Sequence, residues 1–137
     1  SGMPRLYREA PLNGIWEGSG NVNALDVLRA LGRSPEAFAA YAEEVEQSLG
    51  ADSRLDAAWA SLQRELADTH EWEYRARRLV ERFALVLQGA LLVRHAPEEV
   101  ASAFCGSRLG GESGYAFGTL PRGTAIDALL ERAAPPH

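Results

Sequence analysis

Apolar residues recur at helical spacing along most of this 137-residue chain, and no stretch shows the sustained alternation that is typical of strands. This pattern predicts helices at residues 22–31, 35–49, 53–66, 72–93, 98–108 and 124–132. We therefore expect an all-α fold, a helical bundle of five or six helices without internal repeats.

The longest predicted helix carries a continuous apolar seam whose spacings alternate between four and three residues. The seam consists of Trp72, Ala76, Leu79, Phe83, Val86, Ala90 and Val93. Its first half has a charged opposite face, whereas residues 85–93 are apolar on every side apart from Gln88. A helix that is apolar all round is typical of the middle of a bundle, so we expect this second half to form the core. The first half is also a candidate for pairing between chains.

Short sequence signals mark where the helices begin. The run Ser34-Pro35-Glu36 predicts a start with a capping hydroxyl and proline in the first helical position. Asp52 is predicted to cap the third helix, and Ser19 or Asn21 the first. Residues 4–20 contain several prolines and glycines, so we expect an exposed or loosely ordered lead-in with at most a short helical turn near Leu6–Ala10.

Composition and charge exclude several classes of function. No stretch approaches the length of apolar sequence that a membrane span needs. The net charge of -5 argues against a nucleic-acid footprint over the whole domain, although a local basic stripe remains compatible with it. The single cysteine, Cys105, cannot form an internal disulfide, which fits a reducing cytoplasm, and we expect it to be a small buried side chain on a helix.

The most chemically informative stretch lies just before the first long helix. Glu17 follows Ile15-Trp16 and precedes Gly18-Ser19-Gly20. A carboxylate between large apolar groups loses hydration, which raises its pKa and makes it a candidate proton acceptor; a solvated surface glutamate is the alternative. Small residues at a helix start expose backbone N–H groups that suit an anion, or form a plain capped turn. A dinucleotide fingerprint is excluded because no strand precedes these glycines.

A second candidate is a stripe of arginines on the longest helix, formed by Arg75, Arg78 and Arg82, with Arg94 near it. Glutamates four residues away predict a solvated face with weak ion pairs within the helix, and contact with an anion or nucleic acid is the alternative. The three histidines, His70, His95 and His137, are far apart and match no zinc spacing, so no metal site is expected.

Two runs of residues resemble a known family. Arg8-Glu9-Ala10 followed by Ile15-Trp16-Glu17-Gly18-Ser19 resembles the C-terminal signature of the acyl-CoA dehydrogenases, usually Arg-Asp-Ala and then Ile-Tyr-Glu-Gly-Thr. The run from Arg5 to Val22 looks closer still to the AidB-like branch, described as DNA alkylation response proteins. Residues 91–97 and 103–111 look like the extra C-terminal helical domain of that branch, so the resemblance covers most of the chain.

The resemblance implies roles for individual residues. Glu17 falls at the position of the catalytic base, and Gly18, Ser19 and Asn21 fall on the segment that touches FAD. In this branch DNA contact is also expected, for which Arg29, Arg75, Arg78 and Arg82 are the candidate residues. Trp16 stands where the family usually has tyrosine, which is expected to narrow the acyl pocket, and Ser19 replaces threonine.

The resemblance also divides the chain. Residues 1–3 are interpreted as a tag remnant and start methionine, residues 4–33 as the family signature and its helix, and residues 34–137 as the AidB-like C-terminal helical domain.

The expected protein is a C-terminal fragment of an FAD-dependent oxidoreductase, inactive in isolation because the N-terminal and middle domains that complete the flavin site are missing. Those domains are its expected partners. We also expect homo-oligomers, a cytoplasmic location, no membrane contact, and a DNA-binding or oligomerisation module as the alternative function.

Overall fold

A computed structural model describes residues 2–16, 20–111 and 118–134 of the chain. In these ranges the secondary structure is helical and contains no strand, which confirms the predicted all-α class. The α helices are α1 (Met3–Glu9), α2 (Gly20–Arg33), α3 (Pro35–Glu46), α4 (Ser53–Ala67), α5 (Trp72–His95), α6 (Glu98–Phe104) and α7 (Ile126–Ala133). Helices α2 to α7 correspond to the six predicted stretches, and the short α1 is additional.

The lead-in is exposed, as predicted, but residues 3–14 are helical rather than loose. Helix α1 is followed by a 3-10 helix at Ala10–Gly14, and neither contains a buried residue. Pro4 stands at the start of α1, where its missing N–H costs no helical hydrogen bond. Arg5 and Glu9 form an ion pair of 2.9 Å across one turn, which supports the helix locally.

The predicted start signals differ in their outcome. The Asp52 carboxylate accepts a hydrogen bond of 2.9 Å from the backbone N–H of Arg54, so the predicted cap of α4 is confirmed. Ser34 makes no side-chain cap, because its backbone carbonyl already accepts from the Ala37 N–H at 2.9 Å. Asn21 does not cap α2, since the helix already begins at Gly20 and Asn21 lies inside its first turn; the alternative cap, Ser19, lies outside the described residues.

Helix α5 is the central element and packs against α2, α3, α4 and α6. The main core cluster consists of Val45, Leu55, Trp59, Leu62, Phe83, Val86 and Ala90. Tyr41 adds to it: its ring lies edge-on to Phe83 at 4.8 Å, and its hydroxyl donates to the Phe83 carbonyl at 2.8 Å. The predicted seam therefore forms the core. Val86, Gly89 and Ala90 are buried, which confirms that the second half of the seam lies in the core. Gln88, the polar exception, is exposed, and Leu91 is 38% exposed.

The first half of α5 is covered by α2. Ala24 and Leu28 of α2 pack with Ala76 and Leu79 in a second buried cluster. The hypothesis that this half of the seam pairs between chains is therefore wrong, because the same chain already buries it.

The C-terminal part of the bundle is less regular. Helix α6 continues into a π-helical turn at Cys105–Leu109, and Cys105 is fully buried, as predicted. Helix α7 packs on α6 and leaves Leu130 64% exposed. The glycine-containing loop predicted at residues 110–121 falls in part on residues 112–117, which lie outside the described residues. None of the described helices combines the length and apolarity needed to cross a bilayer.

Candidate functional site

The predicted catalytic residue Glu17 and the predicted cofactor contacts Gly18 and Ser19 lie outside the described residues. The structure describes what stands on either side of them. Before them, the helical arm of residues 3–16 exposes large apolar side chains, namely Met3, Leu6, Tyr7, Leu12, Ile15 and Trp16. After them, α2 begins at Gly20 and is anchored to α5. The described residues thus place an uncovered apolar arm before this segment and the packed helix α2 after it.

The first turn of α2 faces solvent beside an arginine of α5. Gly20, Asn21 and Val22 are all exposed. A Cβ built on Gly20 would lie 3.5 Å from Nη2 of Arg77, so this guanidinium stands at the helix start. The first N–H groups of a helix have no intrahelical partner, and a neighbouring guanidinium adds positive charge. The arrangement suits an anionic group.

The sequence assigns no site role to Arg77. Its spacing predicts ion pairs with Glu73 and Glu81 on its own helix, but neither pair forms in the part of the chain that the structure describes. In the structure, Arg77 follows Ala76, whose side chain packs on α2. Only the docking of α2 on α5 shows that Arg77 lies at the start of α2.

Arg75 stabilises the junction between α4 and α5 through hydrogen bonds to backbone carbonyls. Its guanidinium donates to the backbone carbonyls of Asp68 and His70, and at 3.4 Å to that of Glu65. These carbonyls lie at and beyond the end of α4, where helical partners run out, so Arg75 acts as a C-terminal cap. Its hydrogen-bonding groups are engaged inside the protein.

Arg78 and Arg82 both hold Glu65 of α4. The Glu65 carboxylate lies 2.7 Å from Nη1 of Arg82 and 3.4 Å from Nε of Arg78, and Arg82 also donates to the Ser61 hydroxyl at 2.9 Å. The expected ion pairs within α5 are thus replaced by pairs between α4 and α5. Arg78 remains the more accessible of the two, with a side chain 63% exposed against 37% for Arg82.

The other two arginines lie apart from this stripe. Arg29 is on α2, with a side chain 63% exposed and an ion pair to Asp26 one turn away. Arg94 was expected near the stripe, but it pairs with Glu44 of α3 instead. The structure therefore does not bring the four candidate nucleic-acid residues together on one surface; three lie at the α4–α5 junction and one on α2. No group of three His, Cys, Asp or Glu side chains that could hold a metal occurs within residues 2–16, 20–111 and 118–134.

Comparison with known proteins finds relatives of this chain. No family model matches it. The AidB protein of Escherichia coli (strain K12), which is named as an acyl-CoA dehydrogenase, is 37% identical over 105 residues, which cover 77% of this chain and 19% of that protein. Acyl-CoA dehydrogenase family member 11 of Caenorhabditis elegans is 31% identical over an alignment 133 positions long, gaps included, which covers 77% of this chain and 22% of that protein. By sequence, this chain is related to the AidB-like acyl-CoA dehydrogenases.

This AidB-like chain spans about a fifth of the length of the curated relatives it matches. The exposed start of α2 beside Arg77 is one place where the geometry favours an anionic ligand, and residues 3–16 form a surface that the bundle leaves uncovered.

Proposed function

We propose that this chain is the C-terminal part of an FAD-dependent acyl-CoA dehydrogenase-like oxidoreductase of the AidB type, with Glu17 as the catalytic base. The observation that carries the proposal is what flanks the family-like segment. An exposed apolar arm precedes it, and an exposed helix start beside Arg77 follows it, which is how one edge of a larger site is expected to look. The relationship to two acyl-CoA dehydrogenase-named proteins supports it.

The described residues at this edge fit the anionic part of a flavin dinucleotide. The exposed first turn of α2 and the adjacent Arg77 guanidinium offer backbone donors and positive charge without a competing ion pair among the described residues. In the whole protein, Gly18, Ser19 and Asn21 would contact FAD, and Arg77 would stand next to them. When bound, FAD supplies the hydride acceptor for oxidation of an acyl thioester to its 2-enoyl form.

The proposed role of Glu17 is to take the α-proton of the acyl thioester while its backbone N–H donates to the thioester carbonyl oxygen. A carboxylate performs this task well only when it is desolvated, because desolvation raises its pKa toward neutrality. The neighbouring Ile15 and Trp16 side chains are 71% and 62% exposed, so they do not exclude water by themselves. We therefore propose that this chain is inactive in isolation and that another region completes the site.

The test is Glu17→Gln in the full-length protein that contains this sequence. We expect FAD to stay bound, as measured by its visible absorbance, and flavin reduction by an acyl-CoA to fall by at least about a hundredfold. Glu73→Gln, at an exposed glutamate on α5, is the matched control and should reduce at the normal rate. Unchanged reduction by Glu17→Gln would refute the base assignment, and loss of FAD would show a structural role instead.

The partners proposed for the exposed arm are the N-terminal and middle domains of the parent protein, together with a second subunit. The six large apolar side chains on residues 3–16 are 46% to 81% exposed. Together they offer several hundred Å², about one partner's share of a standard interface. Sedimentation of the chain at two concentrations tests self-association; a monomer at both would count against homo-oligomers. A cytoplasmic location belongs to the same proposal.

DNA binding is the second proposal, and the structure narrows it to the more accessible arginines. Arg29 and Arg78 have side chains 63% exposed, whereas Arg75 and Arg82 are held against α4. Removing one arginine that binds a phosphate should reduce the slope of log affinity against log salt by about one. We expect Arg78→Ala to do so for duplex DNA, and binding that is insensitive to salt would end the proposal.

A further inference from the structure

A groove of about 520 Å³ lies between α4, α5 and the π turn. Its walls carry the side chains of Arg78, Arg82 and Arg108, and we call it the arginine groove. Ser61 and Glu81 also line it. Its volume falls in the range of small-molecule sites, and it is separate from the start of α2.

The charges in the arginine groove are unequally engaged. Arg82 is bound to Glu65 at 2.7 Å and to Ser61, whereas Arg78 makes two longer contacts with Glu65, one from Nε and one from Nη2, each of 3.4 Å. Arg108 is exposed and has no ion-pair or hydrogen-bond partner in the described part of the chain. With three guanidinium groups against the carboxylates of Glu65 and Glu81, the groove keeps a net positive charge although the whole chain is acidic.

The floor of the arginine groove is apolar. It is formed by the side chains of Ala57, Ala58, Leu85, Val86 and Leu109. The two alanines belong to α4, and Leu85 and Val86 belong to α5, so the floor spans both helices. Apolar side chains of this kind give dispersion contacts to a hydrocarbon tail. The groove thus combines a cationic side with an apolar strip.

We propose that the arginine groove binds a small amphipathic anion, with a carboxylate or phosphate monoester head held by Arg108 and Arg78 and a linear apolar tail on the floor. Guanidinium groups pair with both kinds of head through two parallel hydrogen bonds. The proposal rests only on the groove and is independent of the flavoprotein function proposed above. It assigns Arg108 and Ala57, which neither the sequence patterns nor the family resemblance singled out.

Calorimetric titration of the full chain tests the proposal, with probes kept below micelle formation. Octyl phosphate and octanoate separate the two heads, octanol lacks the charge, and inorganic phosphate lacks the tail. We expect at least one of the two anionic probes to bind at least about tenfold more tightly than octanol and than inorganic phosphate. If octanol binds as tightly as the anionic probes, the groove recognises only apolar surface. If inorganic phosphate binds as tightly, the groove recognises only the charge. Either result overturns the proposal.

Three variants locate the binding. Arg108→Ala should weaken binding of the anionic probe about tenfold, since it removes a charged hydrogen-bond donor that supports no other described residue. Ala57→Leu places new atoms on the floor at an exposed helical position, so the anionic probe should bind only as well as inorganic phosphate. Arg33→Ala removes the same charge outside the groove and should bind as the wild type does.

Affinities of Arg108→Ala and Ala57→Leu within twofold of Arg33→Ala would refute the assignment. So would an absence of saturable binding by both anionic probes. A short DNA duplex that displaces octyl phosphate and itself depends on Arg108 but not on Ala57 would show that the groove serves a phosphate backbone, which also contradicts the proposal.

Discussion

Leu79 is the side chain through which α5 holds α2, and its replacement by alanine measures that contact. Leu79 is fully buried in the cluster with Ala24, Leu28 and Ala76. Leu79→Ala loses about 2 to 3 kcal/mol of transfer free energy. The cavity that remains brings the expected loss to about 3 to 4 kcal/mol, because packed helices close only partly around it. That is a large share of the 5 to 15 kcal/mol that stabilises a typical domain.

Urea unfolding followed by helical circular dichroism measures the loss. With a slope of about 1.5 kcal/mol per molar urea, the midpoint should fall by about 2 M. Leu91→Ala is the matched control on the same helix, since Leu91 is 38% exposed, and it should cost about 1 kcal/mol or less. Leu28→Ala and Leu79→Ala should be non-additive by at least about 0.5 kcal/mol, because they share one cluster.

A loss of less than about 1 kcal/mol in the free energy of unfolding of Leu79→Ala, or a loss no larger than that of Leu91→Ala, would refute this prediction. Either result would mean that α2 does not dock on α5 as described. Strict additivity with Leu28→Ala would contradict the shared cluster even if both single losses were large.

Three further predictions concern the partly buried Tyr41 and Asp52 and the fully buried Cys105. Tyr41→Phe removes the hydroxyl that donates to the Phe83 carbonyl and should cost about 1 kcal/mol in urea unfolding, whereas Tyr74→Phe, at a residue 89% exposed, should cost nothing measurable. Hydrogen bonds from Arg54 hold the pKa of Asp52 below its ordinary value. Ionised Asp52 therefore stabilises the folded state at pH values above the unfolded pKa of about 3.9. This stabilisation is lost as the pH falls through the pKa of Asp52 in the folded state. Asp52→Asn should therefore lower the free energy of unfolding at pH 7. On acidification to pH 3 the variant should lose less of its remaining free energy of unfolding than the wild type does; an equal loss would contradict the stabilising role of ionised Asp52. Burial raises the pKa of the Cys105 thiol to about 11, so a disulfide reagent should react with it only in denaturant, and rapid labelling of the folded chain would show that the π turn opens.

Much of the fold could be predicted because helices are local. The apolar seam of α5 and the Asp52 cap depend on residues within a few positions of each other. The predicted stop of α3 at Gly50 is wrong, since the helix already ends at Glu46. The helical form of residues 3–14 could not be predicted in the same way, because prolines and glycines dominate that stretch. A proline at the first position of a helix supports it, but this signal is outweighed by the number of breakers.

The candidate site was predictable only in part. The family-like segment around Glu17 is recognisable from its residue types and their spacing, which need no tertiary information. The ion pairs predicted within α5 do not form among the described residues. The sequence could indicate only partners four residues away on the same helix, because the neighbours on other helices are not visible in it. Glu65 of α4 takes the place of the predicted partners once the two helices pack, since a partly buried carboxylate gains more from two guanidinium groups than exposed pairs gain within one helix.

The sequence by itself determined that this chain is helical, where its long helices lie, and to which family it is related, because periodicity and motif spacing are properties of neighbouring residues. Only the tertiary structure decided which arginines are engaged, that Arg77 stands at the start of α2, and that Arg108 lies over an apolar groove. Those facts depend on the angle and register at which helices pack, which are set by side chains far apart in the chain.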